Sequence, residues 1–159
     1  MRTDPNSTKD VSAAGLRIAV ATAMFNESIA SGLKTAAIQF LNDHDAKDVV
    51  AVDVPGAFEL PIVAQALVRS GCDAVVCLGA VIKGDTDHYE HVANRASEGL
   101  MRVQLETGVP ISFGILTVID YDHALERSKP GPENAGAHAA AAAVRTAQIL
   151  AGLRDTSTT

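Results

Sequence analysis

The chain has 159 residues, 47% of them hydrophobic and 20% charged, a composition that suits one globular core and excludes disordered, fibrous and multi-domain architectures. No stretch approaches the ~20 uninterrupted apolar residues of a membrane span, and the polar N-terminus has no apolar run of the secretory kind, so a cytoplasmic address is expected. Lys and Arg total 13 against 19 Asp and Glu, a net charge of -6, which excludes a broad attraction to nucleic acid or anionic lipid and leaves any phosphate to a local site.

Short β-branched runs alternate with longer segments of helical spacing, the pattern of a parallel sheet with crossover helices. Residues 16–23 are the first apolar run, and Asn26 can cap a helix in which Ile29, Leu33, Ala37 and Leu41 recur every four residues. Residues 49–54 form the second strand. A loop over residues 55–59 follows, and Pro61 suits the first turn of a helix that stops at Gly71. The third strand is residues 74–78. After a loop over residues 79–87, a long helix runs from about His88 through Val92, Ala96, Leu100 and Val103 toward Gly108. Residues 111–118 are the fourth strand. Residues 122–128 offer a short helix, Lys129-Pro130-Gly131-Pro132 breaks it, and Asn134 caps a final helix reaching about Leu153. The alanines at 139–143 lie inside that helix and give it a face that can approach a sheet or another helix closely.

These units predict an α/β fold, a three-layer α/β/α sandwich around a central four-stranded parallel sheet with flavodoxin-like winding. One domain over residues 16–153 is expected, with residues 1–15 and 154–159 as flexible or partner-dependent tails. The spacing of Cys72 and Cys77 matches no zinc site, and both are expected to be buried and reduced.

The densest polar segment is Gly79-Ala80-Val81-Ile82-Lys83-Gly84-Asp85-Thr86-Asp87-His88. It lies after the third strand, where open α/β sheets place their ligands. Gly79 and Gly84 have the spacing of a phosphate-cradling P-loop, but Asp85 stands where that loop needs lysine, and an acid there repels a triphosphate. The amides of Gly84, Asp85 and Thr86 can still hold one phosphate at the helix N-terminus. His88, in the first turn, is either a proton-transfer group or a capping surface histidine. His91 adds a second imidazole three residues on, but no third ligand is in view and no metal is expected.

The second polar constellation is Pro55-Gly56-Ala57-Phe58-Glu59-Leu60-Pro61, which either holds a hydroxylated or amide-bearing ligand or is a plain βα turn with an acidic first helical turn. Phe25 and Phe113 either offer ring faces for stacking on a planar heterocycle or belong to the core. Arg127 either binds a phosphate bidentately or complements the end of the short helix.

Taken together and in order, Phe25-Asn26, PGAFELP from Pro55, GAVIKGDTDHYEHV from Gly79, PISFGILT from Pro110 and Ala124-Leu125-Glu126-Arg127 resemble the lumazine synthase family of riboflavin biosynthesis. The likeness covers about residues 16–150. It implies a cofactor-free condensation of 5-amino-6-(D-ribitylamino)uracil with 3,4-dihydroxy-2-butanone 4-phosphate. By position, His88 matches the family's proton-transferring histidine and Phe25 the ring that stacks on the pyrimidine. Ala57, Phe58 and Glu59 match the segment that holds the ribityl chain and ring. Ala80, Val81 and Ile82 match backbone contacts to the uracil, and Gly84, Asp85 and Thr86 match the phosphate loop. Phe113 and Arg127 match residues that the family supplies from a neighbouring subunit. The resemblance therefore also implies a homopentamer or an assembly of pentamers, with riboflavin synthase as a candidate partner and with neither nucleic acid nor membrane.

The sequence departs from the family at the loop before the final helix, where Ala135 stands in place of a lysine near the phosphate and Lys129 is the nearest basic residue in the loop. A flavin- or lumazine-binding homologue without activity is the alternative reading. Retention of His88, Arg127 and the Asp85-Thr86 pair favours the enzyme, because a carrier needs neither a proton-transfer group nor a phosphate site.

Overall fold

The structure is a computed structural model that describes residues 11–156. Chain order is β1 (Arg17–Ala23), α1 (Glu27–Asp43), β2 (Asp48–Val54), a 3-10 turn (Ala57–Glu59), α2 (Leu60–Arg69), β3 (Ala74–Ile82), α3 (His88–Thr107), β4 (Ile111–Val118), α4 (Tyr121–Ser128) and α5 (Ala135–Thr156). The strands form one sheet in the order β2-β1-β3-β4, and every neighbouring pair is parallel. Alternate residues of β1 serve opposite faces: Ile18 and Val20 pack with α1 and α5, while Ala19, Ala21 and Ala23 pack with α2 and α3. A central parallel strand is covered on both sides, which is why β1 is a continuous apolar run in the sequence rather than an alternating one. The result is the expected three-layer α/β/α sandwich.

The alanine stripe of α5 is packing surface. Ala139, Ala140, Ala143 and Val144 are buried with Leu33 and Ala37 of α1. The two helices meet so closely at Gly136 that a Cβ there would lie 2.1 Å from the Leu33 carbonyl oxygen. Asn134 is buried and caps α5 as expected. Its Oδ1 accepts from the amides of Gly136 and Ala137 at 2.7 and 3.3 Å, and its Nδ2 donates to the carbonyls of Ser128 and Lys129 at 2.9 and 3.0 Å. One side chain thus starts α5 and ties it to the end of α4.

Several boundaries differ from the sequence reading. β3 continues through residues 79–82, where a loop was expected, because those residues pair with β4 as far as Ile82 against Val118. Gly79 belongs in the ladder for a steric reason: a Cβ would lie 3.0 Å from the Ala23 Cβ, so the glycine permits close approach rather than a turn. The packed chain also begins before residue 16. Val11 and Ala13 are buried, the Ala13 amide donates to the His44 carbonyl at 2.7 Å, and Ala14 bridges Ala46. Residues 1–10 of the expected N-terminal tail lie outside the described residues. At the other end α5 runs through Thr156, and residues 157–159 lie outside the description. Among the described residues, no helix is long and apolar enough to cross a membrane.

Candidate active site

A cleft of about 600 Å³ opens above the C-terminal ends of β1 and β3. The chain leaves these adjacent strands toward opposite faces of the sheet, α1 on one side and α3 on the other, and such a divergence creates a crevice in an open parallel sheet. Five short segments line it. Phe25 and Asn26 follow β1, residues 56–59 follow β2, residues 80–82 end β3, Gly84 and Thr86 come from the next loop, and His88, Tyr89, His91 and Val92 face it from the start of α3.

Phe25 and Phe58 are 73% and 61% exposed, so neither ring belongs to the core. Two large rings on the rim of one cleft, with no aromatic partner among the described residues, suit a flat heterocycle. The backbone of β3 provides the polar wall. β1 pairs with β3 only as far as Thr22 against Leu78, so beyond that point the β1-facing edge of β3 leaves the ladder. Lys83 donates to the Val118 carbonyl on the β4 side at 2.9 Å. By strand alternation, the peptide groups of Ala80 and Ile82 then face the cleft. The Ala80 carbonyl accepts from Asn26 Nδ2 at 3.2 Å. Asn26 precedes α1 in the left-handed region, φ 62°, and makes no side-chain capping bond. Asn26 is thus the N-cap residue as expected, its carbonyl accepting from the amides of Ile29 and Ala30 at 3.0 Å, but its side chain spans the gap between the ends of β1 and β3 instead of capping.

Thr86 and His88 lie together at the entry to α3. The His88 amide donates to Thr86 Oγ1 at 3.4 Å, so the first helical N–H has an internal partner. Asp87, not Thr86, is the N-cap residue. Asp85 is exposed and does not line the cleft, although Gly84 and Thr86 on either side of it do. The P-loop spacing has no structural counterpart, because Gly79 is inside a strand. Glu59 lines the cleft from the turn before α2, and its Oε2 would lie 3.2 Å from a Cβ at Gly56, which the glycine leaves open.

The sequence reading missed Asn26 as a lining residue, along with Tyr89 and His91. His91 Nε2 lies 3.3 Å from Asp87 Oδ2, a pair whose i,i+4 spacing on one helix was legible beforehand. Cysteine chemistry has no place here. Cys72 and Cys77 are free and buried as expected, and burial pushes the Cys77 thiol up to about 12.

Phe113 and Arg127 are not brought to this cleft. They line a second concavity of about 370 Å³ that follows the edge strand β4 and the start of α5. Phe113 is 46% exposed, so its ring, too, is outside the core. Among the described residues, no Lys or Arg lines the larger cleft. Lys129 supplies no cation to either cleft: its ammonium bonds the Glu126 carboxylate on the preceding turn.

The family model described as 6,7-dimethyl-8-ribityllumazine synthase matches residues 15–151. A relative of that name from Nitratidesulfovibrio vulgaris strain DP4 is 42% identical over 141 residues, covering 87% of this chain and 90% of its own length. Another of that name, from Kineococcus radiotolerans, is 43% identical over 146 residues, covering 91% of each chain. With the fold and cleft already described, a match of this extent shows that the chain belongs to the 6,7-dimethyl-8-ribityllumazine synthase family, transferases of riboflavin biosynthesis.

Proposed function

We propose that the protein condenses 5-amino-6-(D-ribitylamino)uracil with 3,4-dihydroxy-2-butanone 4-phosphate to 6,7-dimethyl-8-ribityllumazine. The observation that carries this reading is the larger cleft, which gathers two exposed rings, strand-end peptide groups and an imidazole over the same sheet crevice. The pyrimidine stacks on Phe25 and hydrogen-bonds the peptide groups at residues 80–82, and the ribityl chain follows residues 57–59. The 5-amino group attacks the ketone and loses water to give an imine. Removal of a carbon-bound proton beside the imine expels inorganic phosphate. The enol left by this elimination tautomerises to a new ketone at the carbon that bore the hydroxyl, the ribityl-bearing nitrogen attacks that carbonyl, and a second water leaves, which closes the ring.

Every step is an attack by a substrate nitrogen on a carbonyl, a proton transfer or the departure of water or phosphate, so positioning and an acid–base group suffice. Holding two reactants together lowers a barrier by up to about 7 to 11 kcal/mol in the best intramolecular cases. A positioned imidazole contributes about 10² to 10⁴ in rate. His88 is that group, at the mouth of α3 beside Thr86.

The phosphate needs a cation that the larger cleft does not carry. Arg127 supplies it from a second copy of the chain, whose β4 edge, with Phe113, closes over the first copy's cleft. A heterologous contact closes into a ring when its rotation permits, and the ring that the resemblance implies is a homopentamer.

The test is lumazine formation, followed by absorbance and fluorescence against the uncatalysed reaction, with His88→Ala as control. Turnover at least ~10-fold slower in the variant, with assembly intact, is expected. Binding of a lumazine or flavin with no acceleration by the wild-type protein would instead make the chain a carrier of the same fold.

A further inference from the structure

The larger cleft has on its α3 wall a pair of side chains that the reading above does not use. Asp87 is the N-cap residue of α3, yet its carboxylate accepts from none of the first helical amides. It accepts instead from His91 Nε2, at 3.3 Å. An N-cap acid ordinarily bonds an amide two or three residues on, so this one has exchanged a cap for a hold on the imidazole. His91 lines the cleft and Asp87 does not, which puts the ring between the carboxylate and the cleft.

A carboxylate only accepts, so Nε2 carries the hydrogen whatever the charge of the ring. Among the described residues the ring makes no other hydrogen bond. Nδ1 is therefore left for a ligand, as an acceptor in the neutral ring and a donor in the protonated one. A hydroxyl both gives and takes a hydrogen bond, so it serves either state.

The place of the pair in the fold says which part of a ligand it meets. α3 packs against the turn at Ala57–Glu59, and further along it comes so close to α2 that a Cβ at Gly99 would lie 2.7 Å from Pro61 Cγ. Glu59 lines the cleft from that turn, and an ionised carboxylate accepts only. A run of hydroxyls between the turn and α3 thus finds an acceptor on one wall and a partner of either kind on the other. Phe25 and the peptide groups at residues 80–82, which suit a flat ring, come from the ends of β1 and β3 instead.

We propose that His91, held by Asp87, is a specificity-determining residue that recognises a hydroxylated chain, here the ribityl chain of the pyrimidine, and not the ring that carries it. The inference rests on the condensation proposed above. Asp87 is a positioning residue: it fixes the orientation of the imidazole and the nitrogen that bears hydrogen, and it touches no ligand itself.

The probes are 6,7-dimethyl-8-ribityllumazine and 6,7,8-trimethyllumazine, which share one ring and differ in carrying a ribityl chain or a methyl group. Each is titrated into the assembled protein and followed by fluorescence. His91→Leu is expected to bind the ribityl compound at least ~5-fold more weakly, the loss of one hydrogen bond, and the methyl compound within ~2-fold of wild type. His91→Gln, which keeps a donor and an acceptor, should regain most of that loss, and Asp87→Ala should weaken binding of the ribityl compound alone. Equal losses for the two compounds in His91→Leu overturn the proposal, as does unchanged binding of both, or a His91→Gln variant no better than His91→Leu. Ribityl binding unaltered in Asp87→Ala removes the positioning role. Lumazine formation is assayed on the same preparations. Turnover with binding indifferent to His91 removes this residue and leaves the condensation standing, whereas ribityl-selective binding that is lost in His91→Leu, without turnover by the wild type, supports the recognition and removes the condensation.

Discussion

Asn26 Nδ2 donates to the carbonyl of Ala80 across 3.2 Å, joining the residue that follows β1 to a residue near the end of β3. The bond is made where the β1–β3 ladder has already stopped, so it holds open the gap that becomes the floor of the larger cleft. It also fixes the chain direction at Phe25, whose ring stands on the rim. The left-handed backbone at Asn26 allows this, and asparagine tolerates that conformation better than most residues.

Asn26 therefore has two separable contributions. Asn26→Gly removes the tether but suits φ 62°, and is expected to cost about 1 kcal/mol of stability. Asn26→Ala adds the strain of a Cβ at positive φ and should cost roughly 1 kcal/mol more. Both should raise the Michaelis constant for the pyrimidine, since both free Phe25. Urea midpoints and steady-state kinetics of the pair decide it, and equal midpoints would show that the backbone carries no strain.

Arg127 and His88 line different clefts of one chain. Arg127→Ala is expected to raise the Michaelis constant for the butanone phosphate through loss of a charge-assisted contact worth about 1.5 to 3 kcal/mol. Co-refolded mixtures of Arg127→Ala and His88→Ala chains should regain activity that neither variant has alone, because about a quarter of the contacts in a randomly mixed ring unite two intact halves. Mixtures no more active than their parents would place both residues in one chain's site.

Gly136 and Gly152 lie on the same helix in opposite surroundings. A Cβ at Gly136 would strike backbone atoms of Leu33, whereas one at Gly152 would meet nothing within 4 Å. Gly136→Ala is expected to cost about 3 kcal/mol or more, and Gly152→Ala to be neutral or to stabilise by up to about 1 kcal/mol through helix propensity. Thermal melts of the two variants against wild type test the contrast.

The Cys77 thiol is raised from 9.0 to about 12 by burial. Native protein should therefore resist alkylation at Cys77 at mildly alkaline pH, and denatured protein should react at once. The folded state favours the protonated thiol, so this contribution is fully present below pH 9 and is lost as pH rises through the window from about 9 to about 12. Cys77→Ala should flatten that part of the stability profile, and an alkaline limb identical to wild type would refute the assignment.

The order of strands and helices was legible because apolar period and capping chemistry are local. Residues 111–118 were read as a strand to the residue, and Asn134 as a cap. Gly79 was misread as a loop residue because glycine looks the same in sequence whether it turns the chain or admits a neighbour. Asn26 is the N-cap residue that its position suggests, but its side chain bonds an acceptor 54 residues away, which no local pattern reveals.

By itself the sequence determined the fold class, the family and most of the segments that line the larger cleft, since these rest on local patterns and on motifs that keep their spacing. Only the tertiary structure decided how those segments divide in space. Phe25, residues 57–59, residues 80–82 and His88 share one crevice because β1 and β3 are neighbours that diverge. Phe113, Arg127 and His138 share another because β4 is the far edge of the sheet and α5 returns along it. Which side chains can meet depends on strand order, and strand order arises from contacts between residues far apart in the chain.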